Sequence, residues 1–443
     1  MLSLIQYLKD IFLLITTLIT IFLFLKNYKT GFYFYLIVLI ISGFLGFARP
    51  IFAEEIVLPI IILLSVITSK QFRLKYISSI SLFLFLYTIG ITIISDDASF
   101  KGYDTIFFFG IVLIIFSKYF FGEEKKAVQT LAFLWLYALA RVLWLIIHGD
   151  EDIFRLANIT VGSARLILID TNLKSNFLQV DPNYFAFITG LGFLLTLLFL
   201  VYRRAIFSFL PYSFIRKKWF LIIVIIIGFI ELWFTIRAVS RGMVLALLAA
   251  VFTYLIFEKK AKVYVFSFLI IGILYAIFQT VFNLYLERFG IDDLGGGRYN
   301  IWSFLVDYLV KNDKIWFGSG LNFPWWEDWT ADKGKYLGTH NSWLSLIVIF
   351  GLFGFSLLLI LIIKSVRRNL QSTTTVSRVR IILFTYVLVS YSSIEPLNSS
   401  LGWILLAVCI SNGDTDFLKT KKGKTLKQTA PINTNINNLQ ASQ

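Results

Sequence analysis

The chain is organised around the stretch Gly338-Thr339-His340-Asn341-Ser342-Trp343-Leu344, in which a long polar loop enters an apolar run. The run continues to Ile363 and is about long enough for one membrane span. The stretch contains His340, one of only two histidines in the chain. Histidine titrates near neutral pH and is a common proton acceptor in enzymes. His340 is therefore our first candidate for a catalytic base, at the edge of a membrane.

The composition is that of a membrane protein. Of the 443 residues, 58% are hydrophobic and the mean hydropathy is +0.79, which is too apolar for the core of a soluble protein of this size. The net charge is +15, but the basic residues lie in short clusters between apolar runs, as the positive-inside rule expects. The charge therefore indicates membrane topology and not a nucleic-acid partner. Because Cys409 is the only cysteine, an intrachain disulfide and a cysteine-based metal site are excluded.

With about 20 apolar residues per span, the sequence predicts an all-α polytopic membrane protein. The candidate spans are 5–25, 31–47, 51–68, 76–94, 105–121, 127–147, 184–202, 219–236, 243–257, 263–282, 343–363, 381–393 and 400–411. Basic clusters in alternate loops place those loops in the cytoplasm and the others outside. An odd number of spans places the N-terminus outside; if it lies inside, the short segment 51–68 does not fully cross. We expect a membrane domain over 1–413 and a disordered cytoplasmic tail over 414–443.

Two of the outward-facing loops, 148–183 and 283–342, are long. Connections that only join spans are short, so their length indicates that chemistry takes place outside, with 283–342 as the catalytic loop. Within this loop, Ile301, Leu305 and Tyr308 share one face of a predicted amphipathic helix. We expect that helix to lie along the membrane surface.

The same loop contains a tryptophan cluster, Trp325, Trp326 and Trp329. Tryptophans near a membrane surface commonly act as interfacial anchors. The alternative is that these rings stack on sugars or shield a lipid head group.

Arginine is disfavoured in outward-facing loops, so Arg237, Arg241 and Arg298 need an explanation. A guanidinium group is permanently charged and forks onto phosphate oxygens, so this set is a plausible pyrophosphate clamp. The alternative is that each arginine snorkels to the interface or pairs with a loop carboxylate. The sequence has no evident ligand set for a metal, because Asp150-Glu151-Asp152 is only a weak match to a metal-binding motif.

Several short segments, taken in order, form a recognisable pattern. They are Asp181-Pro182-Asn183, Ser240-Arg241-Gly242, Gly297-Arg298 with Trp302, Gly318-Ser319-Gly320, His340-Asn341 with Leu344, and Gly351-Leu352-Phe353-Gly354. In this order, and with this placement outside the membrane, they resemble the O-antigen ligase and O-antigen polymerase superfamily over residues 180–410. No single segment is specific by itself.

The resemblance implies a GT-C-like bundle of about 12–13 transmembrane helices with a large extracytoplasmic loop. It further implies a bacterial inner-membrane enzyme, with a cytoplasmic C-terminus, that transfers a glycan from undecaprenyl pyrophosphate to an acceptor without metal or cofactor. The family's histidine falls on His340 and its pyrophosphate-binding arginines fall on Arg241 and Arg298. Arg237 is a neighbour able to exchange roles with Arg241, and Asn341 and Glu395 complete the predicted substrate-binding set.

With His340 as the base and a single displacement, the expected reaction inverts the anomeric centre. The competing interpretation is that His340 only hydrogen-bonds a head group. We favour a polymerase of O-antigen, capsule or exopolysaccharide, working on lipid-linked glycans with a possible chain-length regulator. A ligase that attaches the glycan to lipid A core or protein is the first alternative. A flippase or other transporter and a non-catalytic membrane subunit are more distant ones.

Overall fold

The computed structural model describes residues 2–45, 51, 54–70, 72, 77–94, 105–148, 182–209, 217–238, 240–258, 298–321 and 340–411. Every regular element among these residues is helical, which confirms the predicted all-α class. The α-helices are α1 (Leu2–Lys26), α2 (Tyr28–Phe44), α3 (Glu54–Ile67), α4 (Ser79–Ile94), α5 (Thr105–Ile115), α6 (Ser117–Phe121), α7 (Glu124–His148), α8 (Pro182–Val201), α9 (Arg203–Phe207), α10 (Lys218–Arg237), α11 (Arg241–Glu258), α12 (Arg298–Lys311), α13 (Ser342–Gln371), α14 (Thr375–Tyr391) and α15 (Ser400–Ile410). The predicted span 263–282 and the predicted tail 414–443 lie outside the described residues.

The helices form a multi-pass membrane bundle. On length and composition, α7, α8, α10 and α13 are long and apolar enough to cross a membrane, and several shorter apolar helices accompany them. The bundle turns large apolar side chains outward, as on α10, where Ile222, Ile226 and Phe229 are each more than half exposed, at 58%, 53% and 62%. Such a surface suits hydrocarbon as the surrounding solvent.

Helix α15 lies at the centre of the bundle. All of its 11 residues are buried, and it packs against α5 and α14. Gly110 of α5 makes room for the Trp403 ring, because a Cβ at Gly110 would overlap that ring. An 11-residue helix is about 17 Å long, shorter than the roughly 30 Å hydrocarbon core. The uniform apolarity of α15 therefore reflects burial in protein.

Hydrogen bonds tie α6, α13, α14 and α15 together at one end of the bundle. The buried Arg380 donates from Nη2 to the Phe121 carbonyl at 2.6 Å, and Asn369 Nδ2 donates to the Cys409 carbonyl at 3.3 Å. Ser365 Oγ donates to the Ile410 carbonyl. These contacts satisfy carbonyls that helix C-termini leave without intrahelical partners. The opposite end, where α13 and α15 begin, contains the candidate site.

Helix α13 is broken at Gly351, where φ is 64° and ψ is 178°. The segment 315–320 fills the break. Ser319 N and Gly320 N donate to the carbonyls of Val348 and Ile349 at 2.9 and 3.0 Å, while Leu352 N and Phe353 N donate to those of Ile315 and Trp316 at 2.9 and 3.0 Å. The loop thus supplies partners for two carbonyls and two amides that the break deprives of their i to i−4 bonds.

A tyrosine from another helix closes the same break. The Tyr87 hydroxyl of α4 lies 2.8 Å from the Phe350 carbonyl and 2.9 Å from the Phe317 carbonyl. Its ring packs against Gly354, where a Cβ would collide with it. Tyr87 therefore joins α4 to both halves of α13 and to the loop.

We expect Gly351→Ala to destabilise the protein severely. The backbone at this position is in a region that only glycine occupies readily, so strain alone costs about 3 kcal/mol. In addition, a Cβ would overlap Gly318 N and the Trp316 carbonyl oxygen. Thermal unfolding of the detergent-purified protein measures the effect. Gly90→Ala in α4 is the matched control, because a Cβ there meets nothing within 4 Å; equal unfolding temperatures for the two variants would contradict the account.

Candidate functional site

Three segments meet at the end of the bundle where α13 begins: residues 240–242, 340–345 and 393–398. We call this meeting point the junction. Ser342 N donates to the Ile394 carbonyl at 3.2 Å, and Leu397 N donates to Ser342 Oγ at 3.4 Å. Gly242 touches Ser393, because a Cβ on Gly242 would collide with the Ser393 side chain. The junction therefore brings together the backbones of three segments that were predicted to form the site.

His340 is half-buried and has a left-handed backbone, with φ at 50°. A non-glycine residue in this region costs about 1–3 kcal/mol and persists only where its surroundings enforce it. Here the next residue, Asn341, is the N-cap of α13, and its Oδ1 accepts from Trp343 N at 3.0 Å and Leu344 N at 3.1 Å. The cap stabilises the helix start that holds His340 in place.

Asn341 therefore has a structural role that was not predicted from the sequence. Its side-chain oxygen caps α13. The predicted contact of Asn341 with substrate stays a prediction.

Glu395 lies directly before the 3₁₀ turn Pro396–Asn398. Its Oε1 accepts from Ser345 Oγ at 2.9 Å, and its Oε2 accepts from Asn398 Nδ2 at 3.2 Å. The turn packs closely on α15, because a Cβ at Gly402 would overlap the Pro396 carbonyl. The carboxylate is thus held on both oxygens by uncharged donors from two different elements.

Arg237 ends α10 and Arg241 begins α11, so the two residues lie on either side of the short connection between these helices. Arg241 directly precedes Gly242, the residue that touches Ser393. Its backbone is therefore part of the junction. The side chains of Arg237 and Arg241 are not among the described parts of the structure, so the predicted phosphate contacts of their guanidinium groups stay a prediction.

Arg298 begins α12, and its side chain is half-buried. The apolar face of this helix, Ile301, Leu305 and Leu309, is buried against α13 around Val348. The predicted amphipathic helix is therefore confirmed, with Tyr308 packed at its edge. Its apolar face packs on protein, and its position along the membrane surface stays a prediction.

Other predicted features lie outside the described residues: the Trp325, Trp326 and Trp329 cluster and the acidic stretch 150–152. Within the described part of the chain, no group of three or more His, Cys, Asp and Glu residues is placed to hold a metal ion. Metal-independent chemistry remains a prediction.

Sequence reasoning missed Ser345 and Asn398, which hold Glu395, and Tyr87, which closes the broken helix. A serine in an apolar run and an asparagine after a proline carry no signal by themselves. These side chains gain a role only through contacts between residues far apart in the sequence. Ser345 and Glu395 are 50 residues apart, and Tyr87 and Phe350 are 263 residues apart.

Comparison with known proteins bears on these residues. Residues 227–359 match the family model described as O-antigen ligase. The matched part is less than half of the chain, yet it contains Arg237, Arg241, Arg298, His340 and Asn341, and it ends before Glu395. The predicted resemblance to the O-antigen ligase and polymerase superfamily is therefore confirmed over residues 227–359. No curated protein matches the chain.

Proposed function

We propose that this multi-pass membrane glycosyltransferase, which carries an O-antigen ligase family domain at residues 227–359, is a polymerase of O-antigen, capsule or exopolysaccharide. The domain supports an enzyme of the O-antigen ligase and polymerase type, acting on lipid-linked glycans. In our proposal it transfers a growing glycan from undecaprenyl pyrophosphate to a second lipid-linked glycan, outside the cytoplasmic membrane.

One observation supports this function more than any other. The junction joins the start of α11 at Arg241, the His340 segment and the Glu395 turn through the contacts of Ser342 and Gly242. A candidate base, a candidate phosphate ligand and an acid therefore come from three distant parts of the sequence to one end of the bundle. Groups that share one substrate must converge in this way.

In the proposed reaction, His340 accepts the proton of an acceptor hydroxyl as its oxygen attacks the anomeric carbon. The C–O bond to the lipid pyrophosphate breaks, and that leaving group takes the electron pair. Attack and departure on opposite faces invert the anomeric centre, because no carboxylate nucleophile intervenes.

Arg241 and Arg298 stabilise the negative charge that develops on the leaving pyrophosphate, with Arg237 able to exchange roles with Arg241. An arginine within about 4 Å, at an effective dielectric constant near 20, contributes about 4 kcal/mol. If this stabilisation acts only on the transition state, it raises the rate about 1,000-fold. Two such groups replace a divalent cation, so turnover that persists in EDTA supports this part of the proposal.

A ligase is the second candidate, and the description of the matching family model favours it. Polymerase and ligase share the donor and differ in the acceptor. Deleting the gene and analysing the surface glycan separates them. Single repeat units on the lipid A core indicate a lost polymerase, whereas full-length polymer left on its lipid carrier indicates a lost ligase. An unchanged surface glycan would contradict both.

A further inference from the structure

The way in which Glu395 is held suggests roles for two residues that no motif contains. Ser345 reaches it from α13 and Asn398 from the 3₁₀ turn, at 2.9 and 3.2 Å. Both donors are uncharged, so these two contacts orient the carboxylate through hydrogen bonds and not through ion pairs. Hydrogen bonds to a charged group are also stronger than those between neutral groups.

Ser345 has a second acceptor close by, the backbone carbonyl of Asn341. Its hydroxyl lies 3.3 Å from the Asn341 carbonyl oxygen, as well as 2.9 Å from Glu395 Oε1. Asn341 directly follows His340 in the chain. A hydroxyl group has one proton and both neighbours are acceptors, so the shorter distance and the negative charge favour donation to Glu395.

The charge of Glu395 indicates which part of the substrate it faces. An ionised carboxylate only accepts hydrogen bonds, and sugar hydroxyls donate them. A pyrophosphate is itself anionic and is repelled by a nearby carboxylate. Glu395 is thus suited to the sugar side of a site whose arginines bind the phosphates.

We propose that Ser345 and Asn398 are positioning residues that orient the Glu395 carboxylate to bind sugar hydroxyls. This inference rests on the proposed function. Loss of either donor lets the carboxylate turn away, so sugar binding weakens while the proton transfer at His340 proceeds as before.

The test is steady-state kinetics in proteoliposomes with undecaprenyl-pyrophosphate-linked repeat units from the producing strain. Ser345→Ala and Asn398→Ala are each expected to raise KM about tenfold, with kcat within about twofold of wild type. Ser345→Thr, which keeps the hydroxyl, is expected to retain the wild-type KM. Ser392→Ala is the matched control, since that hydroxyl is exposed and donates to the Leu388 carbonyl of its own helix, at 2.9 Å.

A double-mutant cycle separates positioning from general damage. In a Glu395→Gln background, Ser345→Ala should change KM by less than about twofold, because the group it orients has lost its charge. An equal effect in both backgrounds would show that Ser345 acts independently of Glu395 and would overturn the inference. A wild-type KM in both single variants would do the same.

Binding of the free repeat-unit oligosaccharide, measured calorimetrically, tests the inference without turnover. Ser345→Ala, Asn398→Ala and Glu395→Gln should each weaken binding, and the combination of Ser345→Ala with Glu395→Gln should be no weaker than Glu395→Gln alone. Unchanged binding in the two positioning variants overturns the inference. If wild type binds the sugar but transfers none, the proposed function fails while the positioning roles stand.

Discussion

Replacing His340 with alanine or glutamine is expected to abolish glycan transfer while the protein still inserts into the membrane. A general base contributes about 10²- to 10⁴-fold in rate, and neither replacement accepts a proton near neutral pH. The measurement is kcat in proteoliposomes, with the amount of inserted protein determined for each variant. A head-group ligand in place of a base predicts a different result, because glutamine keeps hydrogen-bonding capacity and would retain substantial activity.

The left-handed backbone of His340 calls for a further variant. Alanine at φ 50° adds strain, so a loss in His340→Ala alone has two causes. His340→Gly removes the imidazole and adopts this backbone readily. We expect it to be folded and inactive. His148→Gln, which changes the only other histidine, is the control and should keep wild-type turnover. Activity in His340→Gly within about tenfold of wild type would reject the base role.

The membrane helices were predictable because hydropathy reports on side chains, whereas the break in α13 was not. The run 343–363 predicts one span, and the helix found is Ser342–Gln371 with a break at Gly351. That break depends on backbone hydrogen bonds to residues 315–320, and hydropathy averaged over neighbouring residues carries no information about such bonds. The same limit applies to the predicted span 105–121, which divides into α5 and α6 around Phe116. Glycines at 318, 320 and 351 were visible signals, but their partners were not.

The candidate site could be proposed from the sequence to the extent that its chemistry depends on rare residue types in this chain. Histidine and outward-facing arginine stand out against an apolar sequence, which is why His340 and Arg241 were predicted as site residues. Serine and asparagine do not stand out, so the two residues that hold Glu395 emerged only from the fold. Asn341 shows the opposite case, because the sequence suggested a substrate-binding role and the structure shows that its side chain also caps a helix.

Arg298→Lys and Arg241→Lys are each expected to lower kcat/KM for the lipid-linked donor by about 100-fold or more. Lysine keeps the positive charge and loses the planar fork that binds two phosphate oxygens at once. Loss of one donor that stabilises developing negative charge costs about 10²–10³ in rate. The measurement is initial velocity against donor concentration. The same change at Arg237 decides which of the two neighbouring arginines binds the phosphate, because only the ligand should show the large loss.

The competing interpretation makes a separate prediction for the same variants. An arginine that snorkels to the interface or pairs with a loop carboxylate anchors the helix, so its replacement by lysine alters stability and leaves donor kinetics close to wild type. Arg368→Lys is the matched control, an exposed arginine in the last turn of α13, at the opposite end from the junction. It should retain full activity. Losses below about threefold at Arg298, Arg241 and Arg237 would leave the pyrophosphate with no guanidinium clamp, and the leaving group would then need another source of positive charge.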